Sequence, residues 1–373
     1  MSKVKFGDIV KDVKINVDRD NNPYEFYVAG DHMDSEDLYI RRRGRFATDD
    51  VGPAFTRIFK PGQVLYGSRR TYLKKVAVAD FEGICANTTF VFETKDSMVF
   101  EQRLLPFLML SERFTNWSVS HSKGSTNPYV LFSDLASYEF DLPSLKEQKV
   151  LAEKLWAAYE VKQSYLKMID ITQEMVKAQF VEMFGDPITN PKGIPMKRIK
   201  DVCKIVGGSQ PPRSHFIFEY KEGYVRFIQI RDYKSDDHIT YIPESSTKKF
   251  CDEDDIMIGR YGPPIFQILS GIKGAYNVAL MKAIPININK EFLRFYLKRD
   301  ELRHYLERFQ SRSAGQAGID MDELYNYPCP YPSAKEQENW VDILNRADKS
   351  ISELRKSIDA IDKVIKSLIN ENL

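Results

Sequence analysis

The sequence predicts an α+β protein with an internal pseudo-two-fold repeat: two similar globular domains separated by two long antiparallel coiled-coil helices. Three observations carry this reading. Between Pro143 and Gly185 the chain runs without Gly or Pro for about forty residues, a helical rod of roughly 60 Å. A second run of this kind, opening Tyr331-Pro332-Ser333-Ala334-Lys335-Glu336-Gln337, reaches Leu373. The two match at an offset of 189 residues without a gap. Pro143, Ser144, Lys146, Glu147 and Gln148 recur as Pro332, Ser333, Lys335, Glu336 and Gln337, and Leu155, Ala158, Lys167, Ile169, Asp170 and Lys177 as Leu344, Ala347, Lys356, Ile358, Asp359 and Lys366.

The expected order is a first domain over 1–142, a central helix over 143–185, a second domain over 186–331 and a C-terminal helix over 332–373. In the first domain, Phe6, Asp8, Ile9, Lys11 and Val13 form a short helix or strand. Turn-rich sequence and a basic run, Arg41, Arg42, Arg43 and Arg45, follow. Val64 to Tyr66, Val76 to Val78 and Phe90 to Phe92 read as consecutive strands with Gly-containing turns. A helix is expected from Phe100 to Asn116, followed by the polar loop Ser120 to Thr126.

Ser144 and Glu147 form a capping box at the start of the central helix, each side chain satisfying the other's free backbone N–H. Its seam is Leu151, Leu155, Ala158, Tyr165, Ile169 and Val176, interrupted by Lys162, Thr172 and Gln179. The C-terminal helix continues the 4,3 spacing through Trp340, Leu344, Ala347, Ile351, Leu354, Ile358, Ile361, Ile365 and Leu368. The simplest structure buries one seam against the other. Trp156, Tyr159 and Phe180 lie off the seam and call for a partner or neighbouring domain to cover them.

The second domain repeats the plan of the first with less identity. Ile199, Asp201, Val202, Lys204 and Val206 echo its start, and residues 254–284 echo its strand series. Gly259-Arg260-Tyr261 stands where the first domain has Gly67-Ser68-Arg69. A helix is expected from Lys290 to Gln310, and residues 311–316 match the 123–127 loop.

Hydrophobic residues make up 43% of the 373 and aromatic residues 12%, ample for packed cores. No apolar run approaches the roughly 20 residues of a membrane span and the N-terminus has no signal-peptide core, so the cytoplasm is expected. Cys85, Cys203, Cys251 and Cys329 are too scattered for a zinc ribbon or a disulfide framework, and buried free thiols are expected. A net charge of +1 means that an anionic partner would be met by local clusters.

A duplicated scaffold with divergent basic loops suits two segments of a quasi-symmetric polyanion, and DNA is the obvious candidate. Arg favours guanine edges, while Asn and Gln favour adenine. The candidates are Arg69, Arg70, Lys74, Lys123, Ser125 and Asn127, with the run Arg41, Arg42 and Arg43, in the first half, and Arg260, Tyr261, Gln267, Arg312 and Gln316 in the second. For each residue alone, a solvated surface side chain is the competing reading; the paired loop positions raise the functional one.

Enzymatic patterns fall short. Asn127-Pro128-Tyr129 is one proline short of the segment with which adenine methyltransferases grip a flipped base, and no Gly-rich loop for S-adenosylmethionine accompanies it. Asp80 with Glu93-Thr94-Lys95 has the residue types of a metal-dependent nuclease core but no counterpart in the other half. His121 and His304 lack triad or metal partners, and there is no P-loop. No catalytic, metal or cofactor site is therefore expected.

The order of domain, helix opening L-P-S-L-K-E-Q and ending F-V-E-M-F-G-D-P, domain, and helix opening Y-P-S-A-K-E-Q strongly resembles the specificity subunit of Type I restriction-modification systems. The resemblance covers essentially the whole chain. It implies a non-catalytic subunit whose two domains each read half of a bipartite, gapped double-stranded DNA site, and whose helices form a spacer that docks partners. Those partners would be methyltransferase (modification) subunits, two in number, and a restriction (endonuclease/translocase) subunit. S-adenosylmethionine and ATP would be bound by the partners and not by this chain. The alternative is a coiled-coil scaffold whose globular domains bind protein.

Overall fold

The computed structural model describes residues 2–18, 21–262, 264–309, 311–313 and 316–373, with no side chains described for Ser2, 311–313 and 316–317. The chain divides into two units, Met1–Ile169 with Glu353–Leu373, and Asp170–Ser352.

In the first unit, Val10–Asp12, Thr89–Thr94, Val64–Gly67 and Val76–Val78 form an antiparallel sheet in that spatial order. A second sheet orders Gly44–Arg45, Phe26–Val28, Gly83–Ala86 and Phe55–Phe59, with Phe26–Val28 parallel to Gly83–Ala86. Ser2–Lys5 pairs with Glu139–Leu142. The second unit repeats each pairing. Cys203–Gly207, Leu280–Pro285, Ile256–Gly259 and Gln267–Leu269 form its antiparallel sheet. Tyr241–Pro243, Tyr224–Ile228, Gly274–Tyr276 and Phe250–Cys251 form the second sheet, again with one parallel pair, and Met196–Arg198 pairs with Pro328–Pro330. The duplication thus extends, pairing for pairing, through domains whose sequences have diverged.

Two expectations are corrected. The strands after Gly67 are not consecutive members of one sheet, because Gly83–Ala86 intervenes and pairs in the other. All four of its residues are buried, so it shows none of the alternation that marks a half-exposed strand. The helix expected over 100–116 is two helices, Leu105–Leu110 and Glu112–Ser120. At the break the Ser111 hydroxyl accepts the Phe114 N–H at 3.1 Å, an N-cap concealed by continuous helical periodicity. Likewise 290–310 resolves into Lys290–Leu297 and Asp300–Arg308.

The long helices span Leu145–Phe184 and Ala334–Asn372. Both capping boxes form: Glu147 accepts the Ser144 N–H at 2.9 Å and Glu336 that of Ser333 at 2.8 Å, while each Ser Oγ accepts the Glu N–H at 3.4 Å. The repeated Gln has a separate role. Buried Gln148 accepts the Glu101 N–H at 2.9 Å and donates to the Val99 and Pro143 carbonyls, and buried Gln337 accepts the Asn289 N–H at 2.7 Å and donates to Pro332. In each unit this amide ties the start of a long helix to the loop leading into the domain's own helices.

Within each unit, part of one long helix packs with the opposite end of the other, the antiparallel arrangement. In the first unit, Leu151 and Leu155 join Ile365, Ile369 and Leu373 in the core, with Ile361 and Leu368 half-buried beside them. Lys162, an interruption of the seam, reaches Asp362 at 2.6 Å. Ile169 and Ile358 are buried, Tyr165 and Leu354 half-buried. In the second unit, Val176 shares a core with Trp340 and Ala347, Leu344 packs against it, and Ile351 is buried. The four cysteines are free and buried.

Trp156, Tyr159 and Phe180 are covered from within their own units and are not available to a partner. Trp156 Nε1 donates to the Arg103 carbonyl at 2.8 Å, and its ring meets Phe107 edge-on. Tyr159 donates to Asp37 and accepts the Leu38 N–H at 2.7 Å, while Phe180 packs against Phe295 and Trp340. A helix packed against both a second helix and a domain buries a stripe wider than the a/d seam.

Candidate nucleic-acid interface

In the first unit the basic loop leaves the sheet at Gly67 and returns at Val76. It is anchored twice. Ser68 donates its N–H to Thr88 at 3.1 Å and accepts that of Val130 at 2.9 Å, and the Arg70 N–H reaches Pro128 at 2.7 Å. Arg69 and Lys123 each form a β-bridge with Tyr129. The 121–130 segment is therefore joined to the basic loop by backbone bonds, which leave the side chains free to vary. This brings together the exposed Arg69, Arg70, Lys123, Ser125 and Asn127. Asn127-Pro128-Tyr129, weighed above as a base-gripping motif, is part of the joining segment, with the Pro128 carbonyl accepting the Arg70 N–H and Tyr129 making the bridges.

Arg70 and Lys74 flank a 3-10 turn at Thr71–Leu73 with φ of 47° and 48°. Left-handed backbone at non-glycine residues costs of order 1–3 kcal/mol and persists where surrounding structure enforces it. Its effect is to expose Tyr72 beside the arginines. Tyr72 and the exposed Tyr129 were not among the expected site residues, although aromatics interleaved with arginines were the available signal.

Four other expected site residues are engaged by neighbours. Lys74 turns to Glu36 at 2.9 Å, and both line a small hollow with Tyr159, Lys162 and Asp362. Arg41 pairs with Asp37 at 2.9 Å and Arg42 with Asp34. Arg43 lies over the Phe26 ring at 3.8 Å from its centre. Carboxylates thus offset two members of the basic run, and an aromatic face occupies the third.

The second unit builds the same junction. Arg260 donates its N–H to Ala279 at 2.8 Å, as Ser68 does to Thr88, and Tyr261 bridges Gly318 as Arg69 bridges Tyr129. Ser311–Ser313 pairs with Gln316–Gly318 as a hairpin, which places Arg312 and Gln316 on that second segment; their side chains lie outside the described residues. The Arg260 guanidinium lies 5.2 Å from the centre of the Tyr261 ring, while Gln267 folds back onto the Pro264 carbonyl at 3.0 Å. Exposed Phe218 and Tyr220, in a connection that diverges from that of the first unit, were also missed.

The enzymatic patterns do not assemble. Asp80 is exposed, Glu93 is held by Gln63 at 2.9 Å and Lys11 at 3.6 Å, and Lys95 donates to the Gly7 carbonyl. Among the described residues no group of three or more His, Cys, Asp or Glu is placed to hold a metal ion, and no helix is long and apolar enough to cross a membrane.

Two topologically matched domains, each joining a loop to a second segment with sequences that differ between the halves, define a duplicated recognition scaffold. The sequence model of the Type I restriction modification DNA specificity domain matches residues 4–165 and 191–363, and the chain belongs to that family. It is 23% identical over 205 residues to the Type I restriction enzyme MjaVIII specificity subunit of Methanocaldococcus jannaschii and 28% identical over 213 residues to the MjaIX specificity subunit of the same organism. These matches cover 55% and 52% of this chain, and the chain spans about half the length of those relatives, 47% and 48%. A chain from a structural study of complex assembly and conformational transition in the type I R-M system superposes with a TM-score of 0.59 at 20% identity, covering 100% of this chain and 97% of that one. That likeness is one of fold.

Proposed function

We propose that this chain is the DNA-sequence-recognition subunit of a Type I restriction-modification system, in which each unit reads one half of a bipartite, gapped duplex site. The observation that carries this reading is the recurrence of one junction, Arg69 with Tyr129 and Tyr261 with Gly318, beneath loops of different sequence. Exposed Arg69, Arg70, Ser125 and Asn127 supply phosphate and base-edge donors, with Tyr72 and Tyr129 as neighbours, while Lys123 is engaged by Asp134 at 3.2 Å. The chain has no catalytic role: methyltransferase subunits, two in number, supply S-adenosylmethionine chemistry, and a restriction subunit supplies ATP-driven cleavage. Exposed Val161, Ile171 and Met175 on the first long helix support a docking role for that helix, in place of Trp156, Tyr159 and Phe180.

The test is selection from random duplexes by the purified chain with its methyltransferase subunit. Enrichment of a single gapped motif is the expected result. Enrichment of none, with the partner bound, would favour a scaffold that binds only protein.

A further inference from the structure

Each antiparallel sheet sends out one loop that is alike in backbone and different in sequence. Tyr66 pairs with Val76 and Ile258 with Ile268, ten positions apart in both units, so residues 67–74 and 259–266 match one for one. Of these eight positions only the first, Gly67 and Gly259, holds the same residue in both. The fourth and eighth nonetheless carry positive φ in each loop: Arg70 and Lys74 at 47° and 48°, Gly262 and Phe266 at 109° and 59°. Positive φ is uncommon outside glycine and an outlier for a bulky residue such as Phe266. Its recurrence in loops of unrelated sequence means that the frame imposes the two bends, and that they serve what lies between them.

The second bend is held by different means in the two units. Lys74 pairs with Glu36 at 2.9 Å, and the Glu36 N–H donates to the Lys74 carbonyl at 3.1 Å. Phe266 and its neighbour Ile265 are instead only 2% exposed. Between the bends Thr71 is buried, its hydroxyl 3.3 Å from that of Ser122, and the Leu73 N–H returns to the Arg70 carbonyl at 2.9 Å. In the second loop the Gln267 amide donates to the Pro264 carbonyl at 3.0 Å. The sixth residue of each loop is left outside: Tyr72, 53% exposed, and the exposed Pro264. Among the described residues neither the ring nor the hydroxyl of Tyr72 has a partner, and exposed Arg69 and Arg70 beside it have no ion-pair partner.

We infer that Tyr72 is a specificity-determining residue of the first half-site, its ring in contact with base edges between phosphates held by Arg69 and Arg70, and that Pro264 takes the same place in the second. The inference rests on the DNA reading above and goes beyond it by naming the residue that probes the bases. A large ring with few torsions, carried on a turn already fixed, loses little conformational freedom on binding. Two arginines without an internal carboxylate can engage phosphates and so set the register in which the ring meets the bases. Arg41, Arg42 and Lys74, by contrast, would first have to leave Asp37, Asp34 and Glu36. Proline is likewise rigid and apolar, a side chain suited to pressing against a base step. One backbone thus presents an aromatic probe with two free cations in the first unit, and a compact apolar probe in the second, where Arg260 lies on Tyr261.

Gapped motifs selected from random duplexes, with the methyltransferase subunit bound, should be compared for the parent, Tyr72→Ala, Tyr72→Phe and Pro264→Tyr. Tyr72→Ala should lower discrimination about tenfold at one or two adjacent base pairs of one half-site and leave the other half-site parental. Tyr72→Phe keeps the ring and should keep most of that discrimination. Pro264→Tyr places the first loop's probe on the second and should change base preference in the other half-site alone. Loss of affinity for all sequences alike, with no position relaxed, would mean that Tyr72 only supports its loop; a motif unchanged by Tyr72→Ala would mean that the ring does not meet the bases. Either result overturns the inference while the DNA reading stands. A parent that enriches no gapped motif would overturn that reading, and the inference with it.

Discussion

In the first unit the basic loop is bonded to its neighbouring segment at Ser68, Arg69 and Arg70, and Tyr72 and Tyr129 stand exposed beside the arginines. In the second the corresponding loop keeps the bridge at Tyr261, stacks Arg260 on its own neighbour, and leaves exposed aromatics at Phe218 and Tyr220. Strand order, the parallel pair, the helix caps and the Gln amide are common to both. The difference shows how this fold separates constancy from variation: backbone bonds and buried side chains hold the frame, and the segments bonded to it can change without disturbing it.

The comparison can be tested first through its cores. Trp340 is fully buried with Phe180 and Phe295 around it, and Trp340→Ala should cost about 3–5 kcal/mol. Hydrogen exchange should rise in the second unit and stay near parental in the sheet of the first; an equal rise in both would mean that the units share one cooperative core.

The buried amides come next. Gln148→Ala strands three backbone groups and Gln337→Ala two, at about 1–3 kcal/mol for each group left unpaired. Denaturant unfolding should therefore rank Gln148→Ala as the more damaging, and the reverse order would contradict the pinning role. Lys162→Met should cost less, about 0–1 kcal/mol, because Lys162 and Asp362 are only partly buried.

The smallest effect is at the helix caps. The Ser144 hydroxyl and backbone N–H hold Glu147 below its ordinary value of 4.5, and those of Ser333 do the same for Glu336. A lowered carboxylate contributes stability that is present above its unfolded value and lost as pH falls through the folded one. Carboxyl NMR titration should return Glu147 alone toward 4.5 in Ser144→Ala, and Glu336 alone in Ser333→Ala.

The frame was legible where it is periodic or repeated. The 4,3 seam and the Ser-x-x-Glu box located both long helices to within a few residues, and the shared offset of 189 matched one helix to the other. Ser111 was not read as a cap because the periodicity runs on through it, and Gly83–Ala86 is too short and too uniformly buried to announce which sheet it joins. Lys74 and the 41–43 arginines were read by charge alone, and charge in sequence does not reveal the carboxylate or ring each will meet. Trp156, Tyr159 and Phe180 were correctly singled out as needing cover, but a linear pattern could not say that their own domains provide it.

The most direct test of two independent reading units is the gapped motif itself, determined by selection from random duplexes with the methyltransferase subunit bound. The parent would be compared with Arg69→Ala/Arg70→Ala and with Arg260→Ala/Tyr261→Ala. Each variant should relax base preference in one half-site, a different one for each, at about 1–3 kcal/mol per lost base contact, and leave the other half-site unchanged. Equal relaxation of both half-sites by either variant would contradict the account.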